Sequence, residues 1–159
     1  MTSEGRPETT ARAAANYIIW FCQRHGDPIT NLKLQKLLYY AQGWFLALHG
    51  RPLFEEPLRA WVRGPVVYEV WKNFKEFRWD PITMTMPKPS VSELARDHLE
   101  EVIEVYGDYS ALTLERMTHN EPPWRQARRG LDASAPSTAA ISLADMKAYF
   151  TELADEPAA

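Results

Sequence analysis

The chain has 159 residues, 45% of them hydrophobic, with six Trp, seven Tyr and six Phe, enough to build one domain with a substantial core and to fold without a metal or a crosslink. The single cysteine, Cys22, excludes an intramolecular disulfide and with it a stapled secreted scaffold. A net charge of −3 argues against broad attraction to a phosphate backbone. No stretch approaches the ~20 apolar residues of a spanning helix, and Met1 to Arg12 is polar without an apolar run, so the expected address is the cytoplasm.

No repeat is present at solenoid periods, and the patterning predicts a mainly α fold: one compact domain of about six helices with a minor two-stranded antiparallel β element. The domain is expected over residues 9–154, with flexible ends at 1–8 and 155–159. A first helix spans Thr9 to Arg24, with Ala11, Ala14, Ala15, Ile18 and Cys22 on one stripe and Gly26 as the stop. The second follows a short turn, so the two form an antiparallel hairpin. Its apolar residues Leu34, Leu37, Leu38, Ala41, Phe45 and Leu48 define one buried face, with Thr30 as N-cap and Ile29 stapled to Leu34.

Between Pro57 and Arg63 the period changes to two, which reads as a strand. Gly64 and Pro65 then restart a helix with Val67, Val70, Trp71 and Phe74 inward and Glu69, Lys72 and Lys75 outward. Ile82, Met84 and Met86 alternate with Thr83 and Thr85 and are the expected partner strand. Ser90 and Glu93 form a capping-box pattern before a helix carrying Leu94, Ala95, His98, Leu99, Val102, Ile103 and Tyr106. Short helices are predicted at Ala111 to Thr118 and after Pro122-Pro123. A last one begins at Ser142, with Leu143, Met146, Tyr149, Phe150 and Leu153 on its stripe.

No catalytic or metal constellation emerges, and no cofactor is implied. His25, His49, His98 and His119 stand 21 or more residues apart, too scattered for ligand spacing. His98 reads as a core imidazole with one hydrogen bond. Cys22, on an apolar stripe, reads as an inert thiol. Arg125, Arg128 and Arg129 cluster at Trp124, and Arg59 and Arg63 flank Trp61; arginine with aromatics can stack bases. The acidic balance and the want of a recognition helix make nucleic acid the weaker partner. Trp61, Tyr68, Trp71, Phe74, Phe77 and Trp79 fall too densely to share one buried face. Trp, Tyr and Arg are enriched at binding hot spots, which makes Trp61, Arg63 and Tyr68 the best candidate for a partner surface, against the alternative of aromatics shared between core and strands. Such a patch would serve a homodimer equally well.

Three runs carry a family resemblance: Thr30-Asn31-Leu32-Lys33-Leu34-Gln35-Lys36-Leu37-Leu38-Tyr39-Tyr40-Ala41; Ala60-Trp61-Val62-Arg63-Gly64-Pro65-Val66-Val67-Tyr68; and Thr118-His119 followed by Pro123-Trp124. In this order they resemble the Panacea-domain proteins, the SocA-like antitoxins. The resemblance implies an antitoxin, not an enzyme, that neutralises a cognate protein toxin by direct contact, and in the SocA-like branch a proteolytic adaptor presenting the toxin to the ClpXP protease. Carried onto this chain, Leu34, Leu37 and Leu38 are the buried stripe of the motif helix. Lys36 lies off that stripe and could contact a partner or pair with a carboxylate. Gly64 and Pro65 turn strand into helix. Lys36, Trp61, Arg63, Tyr68, Trp71 and Trp124 are the candidate contact residues. The terminal Ala158-Ala159 is similar to tails that bacterial unfoldases accept. The alternative from another class is a DNA-binding regulator of its own operon.

Overall fold

The computed structural model describes residues 5–87 and 89–156; the Ala158-Ala159 tail lies outside them. Among the described residues, seven α-helices and a two-stranded antiparallel sheet make one mainly helical domain. Helix α1 is Ala11–Arg24, with Thr10 accepting from the amide of Ala13, and its predicted stripe is buried in full. Helix α2, Asn31–His49, begins where Thr30 caps the amide of Lys33 and ends at Gly50, whose left-handed φ of 73° supplies the C-cap. Each cap of this kind is worth about 1 kcal/mol.

Helix α2 is the axis of the domain. It packs against α1 and at least four of the later helices, and its core extends well beyond a single face. Asn31, Gln35, Lys36 and Gln42 are buried with Leu34, Leu37, Leu38, Tyr39, Tyr40 and Phe45, whereas Leu48, expected on the inner stripe, is 56% exposed near the helix end. A helix enclosed on all sides carries its polar residues inward, and each of them then needs a partner. Gln42 meets that demand by accepting from the amide of Leu53 at 2.7 Å and donating to Phe54 O at 2.6 Å, which fixes the segment after α2.

The sheet differs from the sequence expectation. Strand β1, Arg59–Trp61, pairs with β2, Gly64–Val66, through a tight turn, with Ala60 opposite Pro65. Gly64 and Pro65 therefore belong to the second strand instead of opening a helix. Gly64 takes φ 103°, a conformation glycine adopts without penalty, and Pro65 needs no ladder donor. Residues Ile82 to Met86 lie elsewhere: Ile82 N donates to Ile29 O, and the carbonyls of Ile82 and Met84 accept from Gln23. The free side of β1 is met by the chain before the last helix, where Ala60 N donates to Ala139 O and Ile141 N to Leu58 O.

Helix α3, Tyr68–Phe74, starts after Val67 and runs into a 3-10 turn, Lys75–Phe77. Helix α4, Glu93–Tyr106, is capped by Ser92 and not by Ser90. Next come α5, Ala111–His119, and α6, Pro122–Arg128, which carries proline in its first turn. Last is α7, Leu143–Asp155, capped by Ser142 as its sequence predicts. Helix α7 lies along α2, and the fit is close. A methyl group on Gly43 would overlap the ring of Phe150, so glycine is what lets these two helices approach. His98 Nε2 lies 2.8 Å from Ala41 O, and burial pushes the Cys22 thiol up to about 11, both in line with the sequence expectation. Among the described residues no helix is long and apolar enough to cross a membrane.

Candidate protein-binding site

The β1–β2 hairpin is gripped from two sides by the residues that carry the sequence motifs. From α2, Gln35 Oε1 accepts from the amide of Val67 at 2.9 Å while its Nε2 donates to Asn31 Oδ1; Asn31 Nδ2 in turn donates to Trp71 O at 3.0 Å. One helix turn thus fixes both the exit of β2 and the middle of α3. Beside it, Lys36 Nζ donates to Pro65 O at 3.0 Å. A Cβ on Gly64 would stand 2.6 Å from Lys36 Cε and 2.9 Å from Thr118 Oγ1, so the glycine is required by space as well as by φ.

Lys36 is wholly buried (0% exposed) and bonded to a backbone carbonyl, which corrects its place among the candidate contact residues and also the alternative of a carboxylate pair. A cation enclosed without a carboxylate contact is costly, and burial pushes the amine down to about 7. Trp124 is likewise turned inward, at 4% exposure, with Nε1 donating to Trp61 O at 2.8 Å. Arg128, also buried, donates to Ala60 O and to the carbonyls of Asp132 and Ala135, with its guanidinium over the Trp124 ring. Helix α6 therefore holds β1 as α2 holds β2.

Between the two grips lies a polar knot at the start of α6. Tyr39 and Tyr40 donate to the two oxygens of Glu121 at 2.9 and 2.8 Å. Burial raises the Glu121 carboxyl to about 7 although the tyrosine hydroxyls oppose that shift, and burial raises both tyrosine hydroxyls as well. No motif in the sequence singles out Glu121. The adjacent pair Tyr39-Tyr40 in a buried helix was the available signal, since two enclosed hydroxyls demand acceptors.

What the grips present outward is aromatic. Trp61 meets Trp71 edge-on at 5.1 Å between ring centroids, and Tyr68 lies 6.1 Å from Trp61 and stacks on Trp71 at 6.3 Å. Tyr68 is 45% exposed and Trp61 and Trp71 are partly so. Arg63 is exposed, bonded through Nε to Glu115 at 2.7 Å, and its guanidinium covers the ring of Trp79 at 4.8 Å. Of the six candidate contact residues, the structure brings Trp61, Arg63, Tyr68 and Trp71 together at the surface and encloses Lys36 and Trp124. It adds Trp79, 68% exposed, together with Lys75 and Arg78. Leu32, Val66, Trp61, Trp71 and Trp79 line a groove of about 340 Å³ together with Asn31, Gln35 and the cations Arg63, Lys75 and Arg78. Arg78 has φ 55° and ψ −115°, a conformation that an L-residue holds at a cost of about 1–3 kcal/mol; nothing in the sequence announced it.

A compact helical domain that turns its motif residues inward, to hold a hairpin bearing aromatic and cationic side chains outward, has the make-up of a protein-binding module. Residues 34–125 match the family described as Antitoxin SocA-like, Panacea domain, and the chain belongs to it. A relative of the chain is the Antitoxin SocA of Caulobacter vibrioides (strain NA1000 / CB15N), 47% identical over 64 residues, which are 40% of this chain and 34% of that protein. The similarity thus spans about a third of the relative's length. No solved structure matches.

Proposed function

We propose that the protein is an antitoxin that binds and neutralises a cognate protein toxin through the hairpin face bearing Trp61, Arg63, Tyr68 and Trp71. The observation that carries this reading is the division of labour in the motifs: Gln35, Lys36, Gly64, Pro65, Trp124 and Arg128 are spent inside the fold on holding the hairpin. Trp61 and Trp71 enter that network only through their backbone carbonyls, which leaves their rings and that of Tyr68 outside it. Rigidly mounted aromatics flanked by arginine are the residues from which binding hot spots are made. The family and the relative named Antitoxin SocA support the role.

The sharper form is an adaptor that presents the toxin to the ClpXP protease. The DNA-binding alternative loses support from Arg128, whose guanidinium is committed to backbone carbonyls and so is not free to meet phosphate. The deciding experiment expresses the adjacent open reading frame with and without this protein, in cells with and without ClpXP, and follows growth and the neighbour's half-life. Rescue that needs the protease and shortens the half-life establishes the adaptor. Rescue without degradation establishes sequestration alone, and toxicity that this protein never relieves sinks the antitoxin reading.

A further inference from the structure

The groove beside the hairpin is charged in the opposite sense to the molecule. The chain carries −3 overall, yet the groove is edged by Arg63, Lys75 and Arg78 with no Asp or Glu among its lining residues. Arg63 is partly neutralised by Glu115. Lys75 and Arg78 have no carboxylate partner among the described residues, and both are exposed. The lining shared with these cations is mostly apolar, from Leu32, Val66, Trp61, Trp71 and the 68% exposed Trp79, and the amides of Asn31 and Gln35 that also line it are already bonded to each other and to the backbone. A volume of about 340 Å³ is of the size that takes one or two large side chains, not a folded element.

We infer that this groove receives an extended acidic segment of the partner protein, one large apolar side chain entering between Trp61, Trp71 and Trp79 while flanking Asp or Glu residues meet Lys75 and Arg78. The inference deepens the antitoxin reading by naming what the partner offers. Charge complementarity is its ground: two unpaired cations steer an acidic segment toward the groove and disfavour a basic one, and the apolar floor supplies the desolvated anchor. Indole rings among cations can also stack bases, but the net charge of −3 repels a phosphate-bearing polymer from the molecule as a whole.

The test pans a display library of short random peptides against the purified protein. The expected pool combines Asp or Glu with Trp, Phe or Leu. Its members should bind the Lys75→Glu/Arg78→Glu variant at least about tenfold more weakly, as the loss and reversal of two rim charges requires. They should also lose affinity to Trp79→Ala, whose exposed ring can be removed without opening the core. Circular dichroism and urea unfolding confirm that both variants fold. A pool without acidic bias, no enriched peptide at all, or binding indifferent to these variants overturns the inference. Because no toxin enters this assay, an acidic pool alongside failed rescue in cells would discard the antitoxin reading and leave the groove standing; rescue in cells without an acidic pool would do the reverse.

Discussion

Lys36 is a cation with no solvent to meet: it is fully buried and donates to Pro65 O. Its place off the apolar stripe of α2 is real, but a helix enclosed on every side has no outer face for it to reach. Its lowered value sets a pH dependence. Below about 7 the folded state carries the buried charge and its full penalty; between about 7 and the ordinary lysine value the unfolded chain binds the extra proton, so stability rises with pH. Urea unfolding is expected to give a higher midpoint at pH 9 than at pH 7, with the difference lost in Lys36→Met. Glu121 acts in the opposite sense lower down. Its folded value is raised to about 7, so the folded protein holds a proton that the unfolded chain has released, and the stability this contributes is lost as pH rises from the ordinary carboxylate value through about 7. Glu121→Gln should flatten that fall. Arg78 supplies a third case. Glycine relieves its unfavourable φ and ψ, so Arg78→Gly is expected to stabilise the fold by about 1 kcal/mol while weakening partner binding. An unchanged or lowered urea midpoint would show that the backbone there is unstrained.

At the scale of elements, helices were legible wherever a cap and a stripe coincided. Thr30, Ser142 and the alanine-rich stripe of α1 are where the sequence places them. The strands were not, because the residues that alternate are not the residues that pair. Ile82 to Met86 have the period of a strand but spend their backbone groups on Ile29 and Gln23, while Gly64-Pro65-Val66 pairs with β1 despite a composition that reads as a turn. Only tertiary partners decide between such segments, and here the deciding partners are Gln35 and Lys36 on α2. The α2–α7 contact makes the same point for packing. Gly43 lies in mid-helix, where glycine is unfavourable by about 1 kcal/mol relative to alanine, so helix propensity alone predicts that Gly43→Ala stabilises. The ring of Phe150 occupies the space the methyl needs, and overpacking of a core contact typically costs about 1–3 kcal/mol. Thermal unfolding of Gly43→Ala is therefore expected to show a lower Tm, and Gly43→Ala combined with Phe150→Leu should recover part of the loss.

For the molecule as a whole, half of the candidate site was visible in the sequence, and the reason lies in what density reports. Six aromatics between Trp61 and Trp79 cannot all be core, and that count alone points to the surface where Trp61, Tyr68 and Trp71 meet. Which members of the wider set stay outside depends on the clamp formed by α2 and α6, so Trp124 was counted with the contact residues although its indole nitrogen holds β1. Nothing local to Trp79 shows that Arg63 will stack on its ring. These two tryptophans give the clamp-and-surface division a direct test. Trp79→Ala removes a ring that is mostly in solvent and is expected to leave the urea midpoint nearly unchanged while weakening the proposed partner complex by about 2 kcal/mol or more, as loss of an aromatic hot spot does. Trp124→Phe keeps most of the buried ring but leaves Trp61 O without its donor, which should cost about 1–3 kcal/mol of stability. It should weaken the complex only as far as the hairpin loosens. If the two variants lose affinity equally at equal stability, the outward face is not where the partner binds and the clamp is itself part of the interface.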